Sequence, residues 1–281
     1  MQPVTMLEPI IAAAAVASPE NPGDYFHDGL LYCCKCGTPK QCRQNILGRE
    51  IVVSCLCKCA TQNRDAEEAE RRKEEEADRI MHLRTAGIAA QAFRNARFNQ
   101  DDGKNAAPMS TVRRYAERWE ECRQKNIGLM LYGGVGTGKS FAAACLANDL
   151  IGRKIPVCMT NLSGILNALG GIQLEEKSAF IDDLAKYPLL ILDDFGMERQ
   201  TEYALEQVFN VVDTRYRSGK PLVITTNLSL SEMKNPKSRD LARIYDRVLE
   251  MCAPVNFGNN GRRSAIASEK MQQAAKILGG G

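Results

Sequence analysis

Leu129–Ser140 reads LMLYGGVGTGKS: four residues of an apolar run, a glycine-rich turn, then a lysine and a serine. The spacing G-x-x-x-x-G-K-[ST] is met by Gly133, Gly138, Lys139 and Ser140. Placement carries more than the pattern does. A strand that feeds a tight glycine turn and opens a helix aims successive backbone N–H groups at one point, and the helix N-terminus adds partial positive charge there. The stretch Gly133–Gly134–Val135–Gly136–Thr137–Gly138–Lys139–Ser140 therefore predicts a cradle for the phosphates of ATP. Gly134 and Gly136 allow close approach, Lys139 is placed to reach the β- and γ-phosphates, and the Ser140 hydroxyl to ligate Mg²⁺.

Outward from this loop the same alternation continues. Apolar runs at Gly128–Tyr132, Pro156–Met159, Leu189–Leu192, Leu222–Thr225 and Val255–Phe257 read as strands. Helical stretches lie around and between them: Ser110–Gln124 with Ser110 as N-cap, Ser140–Leu150 and Glu202–Arg217. Continuous apolar strands separated by helices predict an α/β fold, a parallel sheet sandwiched by helices. Ligands of such sheets sit at the carboxyl ends of the strands. The segment LLILDDFG, Leu189–Gly196, delivers Asp193 and Asp194 to that edge. Asp193 is expected to hold Mg²⁺ through water, and Asp194 to orient or deprotonate an attacking water. PLVITTN ends on Thr225, Thr226 and Asn227, and Asn227 is the candidate for contacting the γ-phosphate or the water. In RDLARIYDRVLE, Arg243 and Arg247 share a helix face at i,i+4. They read either as surface arginines, with Asp246 as a local partner, or as a finger that stabilises charge on a neighbouring subunit's γ-phosphoryl. Arg262 and Arg263 are weaker candidates for phosphate sensing.

In this order LMLYGGVGTGKS, LLILDDFG, PLVITTN and RIYDRVLE resemble the AAA+ P-loop ATPases of the DnaC/DnaI and IstB-like family, over about Asn126–Ala267. The double aspartate followed by Phe-Gly is the most discriminating part. The resemblance implies an AAA+ core that hydrolyses ATP with Mg²⁺ and self-associates through nucleotide-dependent interfaces. It also implies contact with single-stranded DNA and delivery of a replicative DNA helicase. On the same footing, Arg243 or Arg247 matches the finger position, with Arg247 preferred. An IstB-like transposition helper would keep this chemistry and change the partner. A P-loop small-molecule kinase would instead pass the phosphoryl group to a metabolite.

The amino-terminal part is of a different kind. Seven of the eleven cysteines fall between Cys33 and Cys59. Cys33-x-x-Cys36 and Cys55-x-Cys57 can converge on Zn²⁺ as a small Cys-rich module, with Cys34, Cys42 and Cys59 as spares and Cys57/Cys59 as an alternative second pair. In a chain of 281 residues such crowding reads as metal ligation in a reducing, cytoplasmic setting rather than as a disulfide framework. By resemblance, the module is a docking surface for the helicase; a nucleic-acid-binding ribbon is the rival. The expected divisions are an irregular leader (1–29), the Cys-rich module (30–63), a charged helix and linker (64–109) and the ATPase domain (110–281). A content of 44% hydrophobic and 25% charged residues suffices for one full domain plus a small one. The formal net charge of +3 does not mark a nucleic-acid binder, so any such role must rest on local patches. No membrane role is expected: the run IIAAAAV, Ile10–Val16, lacks a basic flank and is far short of the roughly 20 residues of a span.

Overall fold

The structure, a computed structural model, describes residues 21–46, 48–196, 201–259 and 271. The chain divides into two units, Met1–Ala77 and Asp78–Gly281. In the first, β1 (Tyr25–His27) and β2 (Leu30–Tyr32) form an antiparallel hairpin. It begins inside the stretch read as leader, because Asp28 (φ 50°) and Gly29 (φ 71°) supply the left-handed pair that a two-residue turn needs. A second hairpin pairs β3 (Gln41–Ile46) with β4 (Arg49–Ser54). Among the described residues up to Ala77 the buried side chains are Leu31, Cys33, Gln41 and Cys57. So small a buried set does not amount to a core.

The helix α1 (Lys58–Gly87) runs on from this unit for 30 residues. Its first five turns are mostly polar and exposed, with pairs such as Arg72–Glu68 (2.5 Å) along them, while Ile80 and Leu83 near its end pack against a buried cluster. Arg71 pairs with Glu75 at 3.7 Å. Such pairs add about 0.3 kcal/mol each.

In the second unit the apolar runs become β5 (Gly128–Tyr132), β6 (Val157–Asn161), β7 (Leu189–Phe195), β8 (Leu222–Thr226) and β9 (Cys252–Asn256), in the sheet order β6-β7-β8-β5-β9. Every pairing is parallel. Among the described residues, α-helices accompany them at α2 (Ala106–Glu117), α3 (Trp119–Gln124), α4 (Lys139–Gly152), α5 (Leu162–Gly170), α6 (Leu174–Lys186), α7 (Glu202–Arg217), α8 (Leu230–Lys234) and α9 (Arg239–Met251). Alternate strand residues face opposite layers. Leu129, Leu131, Ile191 and Val223 join a buried cluster with residues of α2 and α4. Met130, Leu190, Leu192 and Ile224 join another with α5, α6, α7 and α9. Both faces are thus covered, as expected of strands that are apolar throughout.

Helix α2 starts four residues before Ser110. Pro108 falls in its first turn, where a missing N–H costs nothing. Between β6 and β7 the chain inserts α5 and α6, and the end of that insertion is fixed by one buried cation. Arg215, fully buried on α7, donates to the carbonyls of Ala185 (3.2 Å), Tyr187 (2.8 Å), Pro188 (3.0 Å) and Pro221 (3.1 Å). Burial pushes its guanidinium down to about 10. The bonds tie the entry to β7 and the entry to β8 to one helix, which fixes the strands whose far ends carry Asp193 and Asn227. No described helix is long and apolar enough to cross a membrane.

Candidate nucleotide-binding site

Backbone geometry builds the loop. Gly133 takes φ 142°, and a Cβ there would lie 2.5 Å from the Gly258 carbonyl oxygen, so no other residue fits. The Gly134 N–H donates to that same oxygen at 2.8 Å, which seats the loop against the chain after β9. Gly138, left-handed at φ 97°, opens α4. Thr137 is fully buried; its hydroxyl donates to Gly134 O (3.0 Å), and its own carbonyl accepts from Asn105 Nδ2 (2.6 Å). Val135, by contrast, is exposed at the tip.

Lys139 is 5% exposed. Its Nζ donates to Gly133 O (2.9 Å), Gly134 O (2.7 Å) and Asn227 Oδ1 (2.9 Å). A strand-end residue 88 positions downstream is therefore in direct contact with the loop lysine. Beside it, Asp193 Oδ1 accepts from the Thr225 hydroxyl at 2.6 Å and is also hydrogen-bonded by Ser140. Burial raises the Asp193 carboxyl, while the Thr225 and Ser140 bonds pull the other way. Ser140 Oγ and an Asp193 oxygen side by side, next to a buried ammonium, are a donor set that fits Mg²⁺ and a triphosphate.

Asp194 sits differently. The β7–β8 register runs Leu192↔Ile224 and resumes at Phe195↔Thr226, so β7 holds one extra residue there. Asp194 takes up the irregularity at φ 54°, a conformation aspartate tolerates better than most residues, and its N–H donates to Thr225 Oγ1 at 2.9 Å. It is exposed, whereas Asp193 is half-buried. Phe195 fills the core, and Gly196, at φ 89°, passes so near Leu228 that a Cβ would lie 2.6 Å from its Cδ1. The DDFG motif is thus a bulge, an anchor and a tight exit.

The arginine pair lies on α9 against α7. Arg247 Nε bonds Asp213 Oδ1 at 2.7 Å, so its acidic partner is Asp213 and not Asp246. Arg243 is exposed and stacks on the Phe209 ring at 4.2 Å. Arg262 and Arg263 lie outside the described residues. Sequence reasoning missed Asn105, the bridging role of Thr225, and Asp213; only Asp213 left a signal, in its i,i+4 spacing from Phe209 and Arg217.

In the amino-terminal unit, the sulfurs of Cys33, Cys36, Cys57 and Cys59 all lie within 4.8 Å of one another. Cys55, read from the sequence as a ligand, is not among them: it directs its sulfur to Pro39 O at 3.6 Å. The correction has a local cause. Cys55 is still tied to the sheet through its N–H to Lys40 O (2.7 Å), whereas Cys57 and Cys59 flank Lys58, where the chain turns into α1. The Thr38 hydroxyl, chiefly, holds the Cys36 thiol down to about 5. The neighbouring thiols of Cys57, Cys33 and Cys36 push Cys59 up to about 12. Four sulfurs this close resist joint ionisation, and four sulfur donors around one point fit a tetrahedral Zn²⁺.

A buried loop lysine, a strand-end asparagine touching it, and an aspartate–serine pair at the carboxyl edge of a parallel sheet define a P-loop nucleotide-binding domain of AAA+ type. The family model for IstB-like ATP-binding proteins matches residues 62–270, well over half the chain, and the chain belongs to that family. It is 27% identical to the replicative helicase loader DnaI of Bacillus subtilis over 213 residues, 69% of this chain and 66% of that protein. To the replicative helicase loader DnaC of Escherichia coli K12 it is 28% identical over 149 residues, 50% of this chain and 57% of that protein. The matched stretch spans less than two thirds of either relative's own length. A crystal structure of DnaI shares the fold, with a TM-score of 0.53 and 21% identity over 64% of this chain and 98% of that one.

Proposed function

We propose that this chain is an ATP-driven loader that delivers a ring-shaped replicative helicase to single-stranded DNA. The contact of Lys139 with Asn227, beside the Ser140–Asp193 pair, carries the reading, because it couples phosphate binding to the sheet edge where hydrolysis would occur. The names of the relatives supply the partner.

In this reading the loop N–H groups and Lys139 bind the β- and γ-phosphates, and Ser140 and Asp193 would hold Mg²⁺. That ion supplies charge neutralisation on the phosphate oxygens. Asp194 accepts the proton of the attacking water as ATP and water become ADP and phosphate. Asn227 reports the γ-phosphate to the lysine, and an arginine from a neighbouring subunit stabilises the charge that develops. The Cys-rich module, closed by zinc on Cys33, Cys36, Cys57 and Cys59, grips the helicase.

Reconstitution tests the proposal. Purified chain, replicative helicase, ATP and protein-coated circular single-stranded DNA should give helicase bound to the circle. Lys139→Ala should give none. Helicase that loads equally well without the chain would count against the reading. The family description favours a second reading, a transposition helper on the same core. Capture of a transposase in place of the helicase would establish it.

A further inference from the structure

Asn105 stands where an asparagine ordinarily caps a helix, and it does not cap. It occupies the position just before α2, yet its side chain accepts no bond from the first turn. A capping oxygen takes the N–H of the second or third helical residue. Here the third is Pro108, which has no N–H to give. The amide is turned elsewhere: Asn105 Nδ2 donates to the Thr137 carbonyl at 2.6 Å, 32 residues downstream. Its own position is firm. The Asn105 carbonyl accepts from the Met109 N–H at 3.0 Å. Met109 and Val112 are buried in the same cluster as Ala142 and Cys145 of α4.

What that bond fixes follows from the peptide plane. A trans peptide is flat, so its C=O and the N–H of the next residue point in opposite directions. The start of the loop shows this directly. Gly133 O faces Lys139 Nζ at 2.9 Å, and the N–H of the same peptide, that of Gly134, faces away to Gly258 O at 2.8 Å. The Thr137–Gly138 peptide has its carbonyl drawn to α2, so the Gly138 N–H is directed away from α2. Among the described residues no acceptor takes that N–H, and no second donor holds the Thr137 carbonyl. Gly138 opens α4 at φ 97°, where the helix gathers partial positive charge. Glycine tolerates either sign of φ, so this peptide could turn over at little cost. Something must choose its direction.

We propose that Asn105 is a positioning residue of the phosphate loop: by holding the Thr137 carbonyl, it selects the peptide orientation that presents the Gly138 N–H to the phosphates. The inference rests on the nucleotide-binding reading of the loop and deepens it. Helix α2 gives no group to the nucleotide itself, yet its first residue's neighbour sets the affinity. Backbone N–H groups of such loops cradle the α- and β-phosphates, which ATP and ADP share. The effect therefore falls on both nucleotides alike.

Nucleotide titration, steady-state hydrolysis and thermal melting of the full chain test it together. Asn105→Ala should weaken ATP and ADP about tenfold each, the worth of one well-made hydrogen bond. Asn105→Asp separates the proposal from a capping role. Aspartate caps a helix as well as asparagine does, so a capping residue would tolerate the change with affinity intact. An ionised carboxylate cannot donate to the Thr137 carbonyl, so this variant should lose at least as much affinity as Asn105→Ala. Its melting temperature without nucleotide should stay at the wild-type value. In both variants KM should rise by the same factor as the affinity falls, with kcat at saturating ATP unchanged, because Asp194 and Asn227 are untouched. Should Asn105→Asp fail to fold, Asn105→Ser, which keeps a capping hydroxyl but is too short to reach Thr137, should show the same pattern. Wild-type affinity in Asn105→Asp or Asn105→Ser overturns the proposal. So does a lowered kcat with affinity unchanged. Lys139→Ala is the control. Wild-type ATP affinity there would remove the nucleotide reading itself, whereas its loss beside normal Asn105 variants removes the positioning role alone.

Discussion

The two units solve the problem of order by different means. From Asp78 onward, two extensive buried clusters hold the sheet between its helices, and the nucleotide residues sit on strand ends that this packing fixes. Up to Ala77 the described chain buries Leu31, Gln41, Cys33 and Cys57, and two of those four are cysteines of the sulfur cluster. On the zinc reading proposed above, the first unit depends on a metal for its structure, whereas the second needs only its side chains. The two should consequently fail under different insults.

The largest effect should come from the metal. Structural zinc in small modules is worth about 10 kcal/mol or more of folding free energy. Cys36→Ser should lose the zinc and the order of the amino-terminal unit, read by metal analysis and by amide NMR spectra. The ATP affinity and melting temperature of the remaining domain should stay in place. A metal-free unit that keeps dispersed spectra would break the comparison. Cys55→Ser sharpens it from the other side: zinc should be retained at one per chain, whereas loss of zinc would return Cys55 to the ligand set.

Within the packed unit, Lys139→Ala should weaken ATP binding by a factor of about 10², the cost of roughly 3 kcal/mol for a buried charge-assisted contact with phosphate. Fluorescent-nucleotide titration measures it. Asp194→Asn should leave that affinity alone and cut single-turnover hydrolysis about 10²-fold, the usual range for a general base. Equal rates in Asp194→Asn and wild type would leave Asp194 as a structural bulge residue. Arg215→Met should lower the stability of the domain by about 3 kcal/mol, because several buried carbonyls lose their donor. Denaturant unfolding reads this, and nucleotide affinity at low temperature should be nearly unchanged.

What the sequence made legible follows the same division. The strands, the phosphate loop and the order of motifs were readable because each depends on neighbours within a few residues: an apolar run, a glycine turn, an i,i+4 spacing. The insertion of α5 and α6 was not singled out, since its helices depend on what they pack against. The choice between Cys55 and Cys59 turned on where the strand releases the chain into α1, a matter of three-dimensional path. Asp213 displaced Asp246 as the partner of Arg247 for a similar reason: the nearer carboxylate in sequence belongs to another face of the same helix.

One sample can test the central claim that a metal-built grip and a packing-built ATP switch operate as separable halves. The purified chain, treated with a zinc-selective chelator while Mg²⁺ is kept in excess, should be assayed side by side for zinc content, ATP affinity and capture of a replicative helicase. The account predicts loss of the zinc and of helicase capture with ATP affinity intact. Capture that survives zinc loss, or ATP binding that disappears with it, would contradict the account.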